Sequence, residues 1–147
     1  MMKKNDIRKH YKMLRNSLSE NTVLKATAQI NQQLPQIPIS NAAMLMSYKA
    51  MPKFNEFNPL EMEKIFLNKF QNLKVCYPLI NKEGMIAVAP NNSSRWVLSP
   101  FGTEELEDGT LISPETIGVV ITPLLAFDLK DINNKKFHDI FLSERLQ

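Results

Sequence analysis

The chain has 147 residues, of which 44% are hydrophobic and 22% charged, a composition typical of one soluble domain, here residues 1–147. Its formal net charge of +3 is mild, and the basic excess lies between Lys3 and Arg15, which favours an anionic ligand near the N-terminus over a nucleic-acid surface. No apolar stretch approaches the roughly 20 residues that span a bilayer, and the single Cys76 has no partner for an internal disulfide, which favours a cytoplasmic protein without a membrane partner.

Two amphipathic helices are predicted before any strand. Apolar residues recur at three- and four-residue spacing along the first helix, at Ile7, Tyr11, Leu14 and Leu18. This spacing predicts a helix over residues 5–18. Ser19 and Glu20 mark the start of a second helix, which must stop before Pro35 because proline cannot continue it.

The central part of the chain predicts a strand, a helix and a second strand. Residues 42–50 form the first strand, and residues 52–59 form the loop that leaves it. A helix over residues 60–70 then leads to a buried strand at residues 73–77. This order is the crossover unit that joins parallel strands.

The second half of the chain predicts shorter strands around one buried strand. Residues 85–90 and 94–98 are expected to form hairpin-like additions at an edge of the sheet, and residues 103–116 a polar loop. The apolar run at residues 118–122 is typical of a strand covered on both faces, as in a parallel sheet flanked by helices. A closing helix is expected to begin near Phe137.

Two basic residues of the first helix are candidates for binding phosphate. Lys4 and Arg8 are four residues apart and so share one helical face, where they can grip a polyphosphate. Taken alone, the pair is also compatible with a solvated basic face.

The loop after the first strand and the segment around Trp96 contain further candidates. A carboxylate at a strand end, here Glu56, is well placed to meet a ligand, although a solvent-exposed loop acid has the same pattern. Trp96 and Phe101 offer flat apolar faces on which a ring can stack, although Trp96 also fits the edge of a core. Asp128 and Asp139 are candidate magnesium-associated carboxylates.

Five segments in the same order resemble the 5-formyltetrahydrofolate cyclo-ligases, also called 5,10-methenyltetrahydrofolate synthetases. They are KNDIRKHYKMLRNSLSE, MSYKAMPKFNEFNPLEM, RWVLSPFGTEEL, GVVITPLLAFD and FHDIFL. The resemblance implies a three-layer α/β/α sandwich with a mainly parallel sheet. It also implies an enzyme that uses ATP and Mg²⁺ to convert 5-formyltetrahydrofolate to 5,10-methenyltetrahydrofolate, with release of ADP and phosphate.

The resemblance also implies roles for individual residues. Lys4 and Arg8 would hold the phosphates of ATP, and Arg15 is a weaker candidate for the same role. Lys135 and Lys136 are not part of the family's pattern but offer charge to phosphates in this sequence. Glu56 would face the folate near its formyl group. The remaining implied residues are Tyr48, Met51, Trp96 and Phe101 around the substrate, Asp139 in catalysis, and Asp128 and Asp139 at the metal.

One feature of the family is absent from the sequence. Relatives continue after the acidic residue with a glycine-rich loop whose backbone amides approach phosphate oxygens. Here the segment from Asp128 to Phe137 contains no glycine. Two alternatives to a working cyclo-ligase therefore stay open: a non-catalytic relative that binds a folate or a partner protein without ATP turnover, and a truncated product. We expect a monomer or a weak homo-oligomer in each case.

Overall fold

Two helices, a strand, a third helix and six further strands follow one another in the computed structural model, which describes residues 4–36, 43–82 and 84–125. The helices are α1 (Lys4–Asn16), α2 (Glu20–Gln33) and α3 (Leu60–Lys69). The strands are β1 (Met44–Met46), β2 (Lys74–Asn81), β3 (Gly84–Ala89), β4 (Arg95–Leu98), β5 (Glu104–Glu107), β6 (Thr110–Ile112) and β7 (Ile117–Val120).

Three of the four predicted helices, those before residue 71, are confirmed in type and position. α2 begins directly after Ser19, which is its N-cap, and the Ser19 hydroxyl accepts a hydrogen bond from Thr22 N at 3.2 Å. Such a bond pairs a backbone N–H that the first turn of a helix leaves free. Ser19 therefore separates α1 from α2.

Five strands form one sheet in the order β6-β3-β2-β1-β7. β1 pairs in parallel with both β2 and β7, whereas β3 pairs antiparallel with β2 and with β6. Four of the five strands therefore run in one direction and β3 runs in the other. The predicted α/β class and mainly parallel sheet are confirmed. The predicted edge position of residues 85–90 and 94–98 was wrong: β3 forms a hairpin with β2 but is covered on its other side by β6, and β4 belongs to a separate sheet.

The core lies on both faces of this sheet. On one face, Leu45 packs with Phe66 of α3 and with Leu34, which follows α2. On the opposite face, Met44 and Cys76 pack together with alanines of β3. The alternation of Met44 and Leu45 between the faces follows from the two-residue period of a strand. The third layer of the predicted sandwich stays a prediction, because the closing helix expected near residue 137 lies outside the described residues.

The prediction of a polar loop over residues 103–116 was wrong, because β5 and β6 lie within it. β5 pairs with β4 in a separate two-stranded sheet, and its Leu106 is buried against Tyr77 and Val88. β6 pairs instead with β3. The chain crosses between the two sheets at Asp108, which has a φ of +58°, and at Gly109, where an added Cβ would lie 2.9 Å from the Ala89 carbonyl oxygen.

Candidate functional site

A twelve-residue connection, residues 47–58, joins the carboxyl end of β1 to the region before α3; we call it the site loop. The carboxyl ends of parallel strands are where ligands gather in open α/β sheets. Within the loop, Pro52–Phe54 form one 3₁₀ turn, and Asn55 then takes the left-handed conformation with a φ of +49°. This reversal turns the chain back on itself and places Glu56 beside the start of the turn.

The Glu56 carboxylate is held at two points. Its Oε2 accepts a hydrogen bond from Met51 N at 2.9 Å, and its Oε1 lies 3.6 Å from Arg15 Nη2. Both charged side chains are partly buried, with 18% of Arg15 and 13% of Glu56 exposed. A charge pair with so little solvent around it is screened less than a surface pair. Glu56 is thus a positioned carboxylate, which a freely solvated loop acid is not.

Tyr48 forms the floor of the site loop. Its hydroxyl donates a hydrogen bond to the Phe57 carbonyl oxygen at 2.6 Å, and its ring is buried. Burial, followed by the negative charge of Glu56, raises the pKa of Tyr48. Tyr48 therefore stays protonated and acts as a hydrogen-bond donor within the loop.

Asn55 ties the site loop to the end of α1. Its side-chain Nδ2 lies 3.2 Å from the carbonyl oxygen of Arg15 and 3.1 Å from that of Leu18. The last carbonyl groups of a helix lack the usual partner within the helix. The Arg15 carbonyl oxygen accepts from Leu18 N at 3.2 Å, and the Asn55 amide adds a second bond to it and one to the Leu18 carbonyl oxygen. This contact holds α1 where Arg15 reaches Glu56.

Three of the basic residues of α1 share one side of the helix. At about 100° per residue, Lys4, Arg8 and Arg15 fall within about 40° of each other around the axis. Lys12 lies next to this stripe, with its Nζ 4.0 Å from the centre of the Phe54 ring in the site loop. Lys4 and Arg8 are exposed. Because an α-helix rises about 1.5 Å per residue, Arg8 lies about 10 Å along the helix axis from Arg15. Among these basic residues, Arg15 is the one that contacts Glu56.

The rings of Tyr77 and Trp96 form an aromatic surface beside the site loop, which we call the ring wall, and Lys49 of the loop contacts it. The Tyr77 and Trp96 rings meet edge to face, with their centres 4.8 Å apart and their planes at 84°. Lys49 Nζ lies 4.1 Å from the centre of the Trp96 ring and 5.3 Å from that of Tyr77. An ammonium group at these distances is attracted to the ring faces. Trp96 keeps 38% of its surface exposed, so part of the wall is open to a ligand.

Phe101 occupies the tip of the β4–β5 hairpin, where 80% of its surface is exposed. Among residues 4–36, 43–82 and 84–125 no other ring contacts it, so Phe101 and Trp96 do not form one continuous surface. The next residue, Gly102, approaches the site loop: a Cβ added there would lie 3.1 Å from Lys53 Nζ. The hairpin tip therefore lies against the site loop, and Phe101 projects beside it.

Sequence reasoning missed a buried carboxylate beneath the site loop. Glu63 of α3 is 6% exposed and accepts hydrogen bonds from Ser47 Oγ at 2.5 Å and from Tyr77 Oη at 3.1 Å. Its burial with Met62 and Phe66 shows that it lies on the inner face of the helix. The signal available in the sequence was its spacing of three residues from Phe66, which is the spacing of a shared helical face.

Several predicted site residues lie outside the described residues: Asp128, Lys135, Lys136 and Asp139. Within the part of the chain that the structure describes, no three His, Cys, Asp or Glu side chains gather in a way that would hold a metal ion. In that same part, none of the helices combines the length and the apolar character needed to cross a bilayer.

Three adjacent parallel strands, one reversed strand and the covering helices define an open α/β fold. This fold is similar to that of solved structures. The chain is similar to the structure of Aquifex aeolicus 5,10-methenyltetrahydrofolate synthetase, with a TM-score of 0.70 and 19% identity over 99% of this chain and 74% of that one. It is also similar to the 5,10-methenyltetrahydrofolate synthetase of Mycoplasma pneumoniae, with a TM-score of 0.65 and 19% identity over 96% of this chain and 77% of that one.

At this level of identity the two structures establish a shared fold. The resemblance to the cyclo-ligases found in the sequence is thus confirmed at the level of the fold. No protein-family model and no curated protein matches the sequence.

Proposed function

We propose that the chain is a 5-formyltetrahydrofolate cyclo-ligase, which binds its folate at the site loop. The observation that carries this proposal is the Glu56 carboxylate, held by Met51 N and Arg15 at the carboxyl end of a parallel strand. The likeness to two synthetase structures supports the choice of substrate. The site loop supplies a fixed carboxylate, and the ring wall supplies an aromatic face on which a pterin can stack.

The proposed reaction proceeds through phosphorylation of the formyl oxygen. ATP transfers its terminal phosphoryl group to the oxygen of the N5-formyl group and leaves as ADP. N10 then attacks the formyl carbon, phosphate leaves with the oxygen, and the ring closes to 5,10-methenyltetrahydrofolate. In this scheme the protein contributes positioning and charge stabilisation, which is how phosphoryl transfer is generally catalysed.

The residues of the site loop, the ring wall and α1 have separate roles in this scheme. Glu56 orients the folate at its formyl group, while Trp96 and Phe101 cover faces of the pterin. Lys4 and Arg8 bind the phosphates of ATP, and their exposure on the basic side of α1 leaves them accessible to a nucleotide. Tyr48 and Met51 shape the loop from below, through the contacts that hold Phe57 and Glu56.

Mg²⁺ would neutralise charge on the polyphosphate, and the carboxylates proposed for it from the resemblance are Asp128 and Asp139, with Asp139 also assisting catalysis. Lys135 and Lys136 are proposed to add positive charge near the nucleotide. A glycine-rich phosphate loop is missing from the sequence, and this observation favours a second candidate function, folate binding without ATP turnover.

Titration calorimetry combined with a product assay tests the proposal. Wild-type protein should bind both ATP-Mg²⁺ and 5-formyltetrahydrofolate, and mixing the two should produce the absorbance of methenyltetrahydrofolate. Folate binding without nucleotide binding would support the non-catalytic candidate. Binding of neither compound would refute both.

A pair of variants on α1 tests the nucleotide site. Lys4→Ala combined with Arg8→Ala should weaken ATP binding by about tenfold or more, because each charge-assisted contact contributes about 1.5–3 kcal/mol. Folate binding should be unchanged. Lys9→Ala is the matched control, because Lys9 lies about 140° around the helix from Lys4 and should leave ATP binding unaltered. Equal ATP affinity in the double variant and the wild type would remove Lys4 and Arg8 from the site.

A further inference from the structure

Glu63 forms a buried cluster that the proposed reaction does not use. Its two carboxylate oxygens accept one hydrogen bond each, from Ser47 Oγ at 2.5 Å and from Tyr77 Oη at 3.1 Å. Ser47 is 1% exposed and Tyr77 is 7% exposed, so the cluster has almost no contact with solvent. In residues 4–36, 43–82 and 84–125, no Lys, Arg or His forms an ion pair with Glu63.

A buried carboxylate with two hydroxyl donors stabilises the fold no better than an apolar side chain of similar volume. Removing a charged group from water is costly, and two neutral hydroxyl donors compensate for it less well than a cation would. Apolar residues of similar volume often replace such groups without loss of stability. Packing alone therefore does not explain why a glutamate occupies this buried position.

The cluster connects α3 to the ring wall through Tyr77. The Tyr77 hydroxyl donates to Glu63 at one end, while its ring meets the Trp96 ring edge to face and lies under Lys49 Nζ. A phenol ring fixed at its hydroxyl cannot tilt without breaking that hydrogen bond. The orientation of the Trp96 ring, which packs against it, is fixed in turn.

The same carboxylate fixes the base of the site loop. Ser47 is the first residue of the loop, and its backbone N donates to the Cys76 carbonyl oxygen of β2 at 2.9 Å. Its side chain donates to Glu63. Tyr48 and Lys49 follow directly in the chain. Glu63 therefore touches both the loop that carries Glu56 and the strand that carries Tyr77.

We propose that Glu63 is a positioning residue: by accepting from Ser47 and Tyr77 together, it sets the distance and orientation of the ring wall relative to the site loop. The identity of the ligand, a folate ring, rests on the proposed function. The positioning itself concerns Glu63, Tyr77 and Trp96 in the free protein, and is measurable without any ligand.

Two variants disturb this arrangement with little change in volume. Glu63→Met removes both acceptors and fills the space with an apolar chain of similar length. Tyr77→Phe removes one hydroxyl and keeps the ring. Glu63→Gln is the conservative variant, because its amide still offers one acceptor and one donor to the two hydroxyl groups. Glu61→Gln is the matched control, since Glu61 lies on the same helix but is exposed and pairs with Lys64 at 3.3 Å.

The first readout is iodide quenching of Trp96, the one tryptophan in the sequence. Glu63→Met and Tyr77→Phe should each raise the quenching constant, Glu63→Gln should return it close to wild type, and Glu61→Gln should not change it. Unfolding by urea is measured in parallel. Glu63→Met and Tyr77→Phe each leave a buried polar group unpaired, so both should lower stability whatever the role of Glu63. Quenching is therefore compared without urea, where every variant is fully folded. Positioning predicts increased quenching there, whereas a merely structural role leaves the quenching of the folded protein unchanged.

The second readout is the dissociation constant for 5-formyltetrahydrofolate. Glu63→Met and Tyr77→Phe should each raise it about threefold to tenfold, the range expected when one aromatic contact in the site is misaligned. Their effects should not add in the double variant, because both act through Tyr77. Unchanged quenching in Glu63→Met and Tyr77→Phe would overturn the positioning role. If wild-type protein binds no folate, the proposed function fails, but the quenching experiment still tests the role of Glu63. If Glu63→Met does not fold, the quenching of Tyr77→Phe tests that role.

Discussion

Replacing Asn55 tests whether the site loop depends on its attachment to α1. The Asn55 amide donates to the carbonyl groups of Arg15 and Leu18, and its backbone has a φ of +49°. Two hydrogen bonds contribute about 1–2 kcal/mol to stability, and alanine in the left-handed region costs about 1 kcal/mol more. We therefore expect Asn55→Ala to lower the free energy of unfolding by about 2–3 kcal/mol.

Two further variants separate these contributions. Asn55→Gly adopts a positive φ without strain but has no side-chain donor, so it should be less destabilising than Asn55→Ala by about 0.5–1 kcal/mol. Asn55→Asp tolerates the same backbone conformation but places acceptor oxygens against the carbonyl groups. It should therefore be at least as destabilising as Asn55→Gly.

Urea denaturation followed by circular dichroism and by Trp96 fluorescence gives the free energy of unfolding for each variant. A loss of the attachment should also reduce folate binding, because Arg15 would no longer be held against Glu56. The reasoning would be refuted if Asn55→Ala and Asn55→Gly both unfolded within about 0.5 kcal/mol of wild type, the range of an ordinary surface substitution.

Three other predictions concern the ion pair, a close backbone contact and the buried thiol. Arg15→Met and Glu56→Gln should show a coupling of about 1 kcal/mol in a double-mutant cycle of stability, and no coupling would contradict their pairing. Gly109→Ala should lower stability by about 1–3 kcal/mol, because its Cβ would lie 2.9 Å from the Ala89 carbonyl oxygen; an unchanged melting temperature would show that this contact relaxes freely. Burial raises the pKa of the Cys76 thiol from 9.0 to about 11, so the unfolded chain loses that proton first as the pH rises, and stability should fall between these values. Cys76→Ala should flatten that decline relative to wild type, and an identical pH profile would contradict the shift.

The helices and the parallel strands were predictable because the pattern of apolar residues that defines each one lies within its own short segment. β1, β2 and β7 contain apolar runs, and α1 and α2 have clear starts and stops. β5 was missed because its sequence, Glu-Glu-Leu-Glu, offers a single apolar residue. Leu106 is enough to anchor the strand because it is packed against Tyr77 and Val88, which lie far away in sequence.

Within the candidate site, the sequence singled out Glu56 because it follows the end of a strand. The structure shows its carboxylate held by Met51 N and Arg15, while its contact with a ligand stays a prediction. The partner of Glu56 was not predictable, because Arg15 reaches it from a helix about forty residues earlier, a contact that local spacing does not encode. Glu63 was missed for a different reason, since an acidic residue within a helix is exposed far more often than buried.

The central claim is that the site loop and the ring wall form a folate site, and Trp96 allows it to be measured directly. Titrating wild-type protein with 5-formyltetrahydrofolate, by calorimetry and by Trp96 fluorescence in the same samples, should give one saturable transition with the same dissociation constant from both signals. Heat of binding without a change at Trp96 would place the ligand elsewhere, and the absence of both signals would contradict the account.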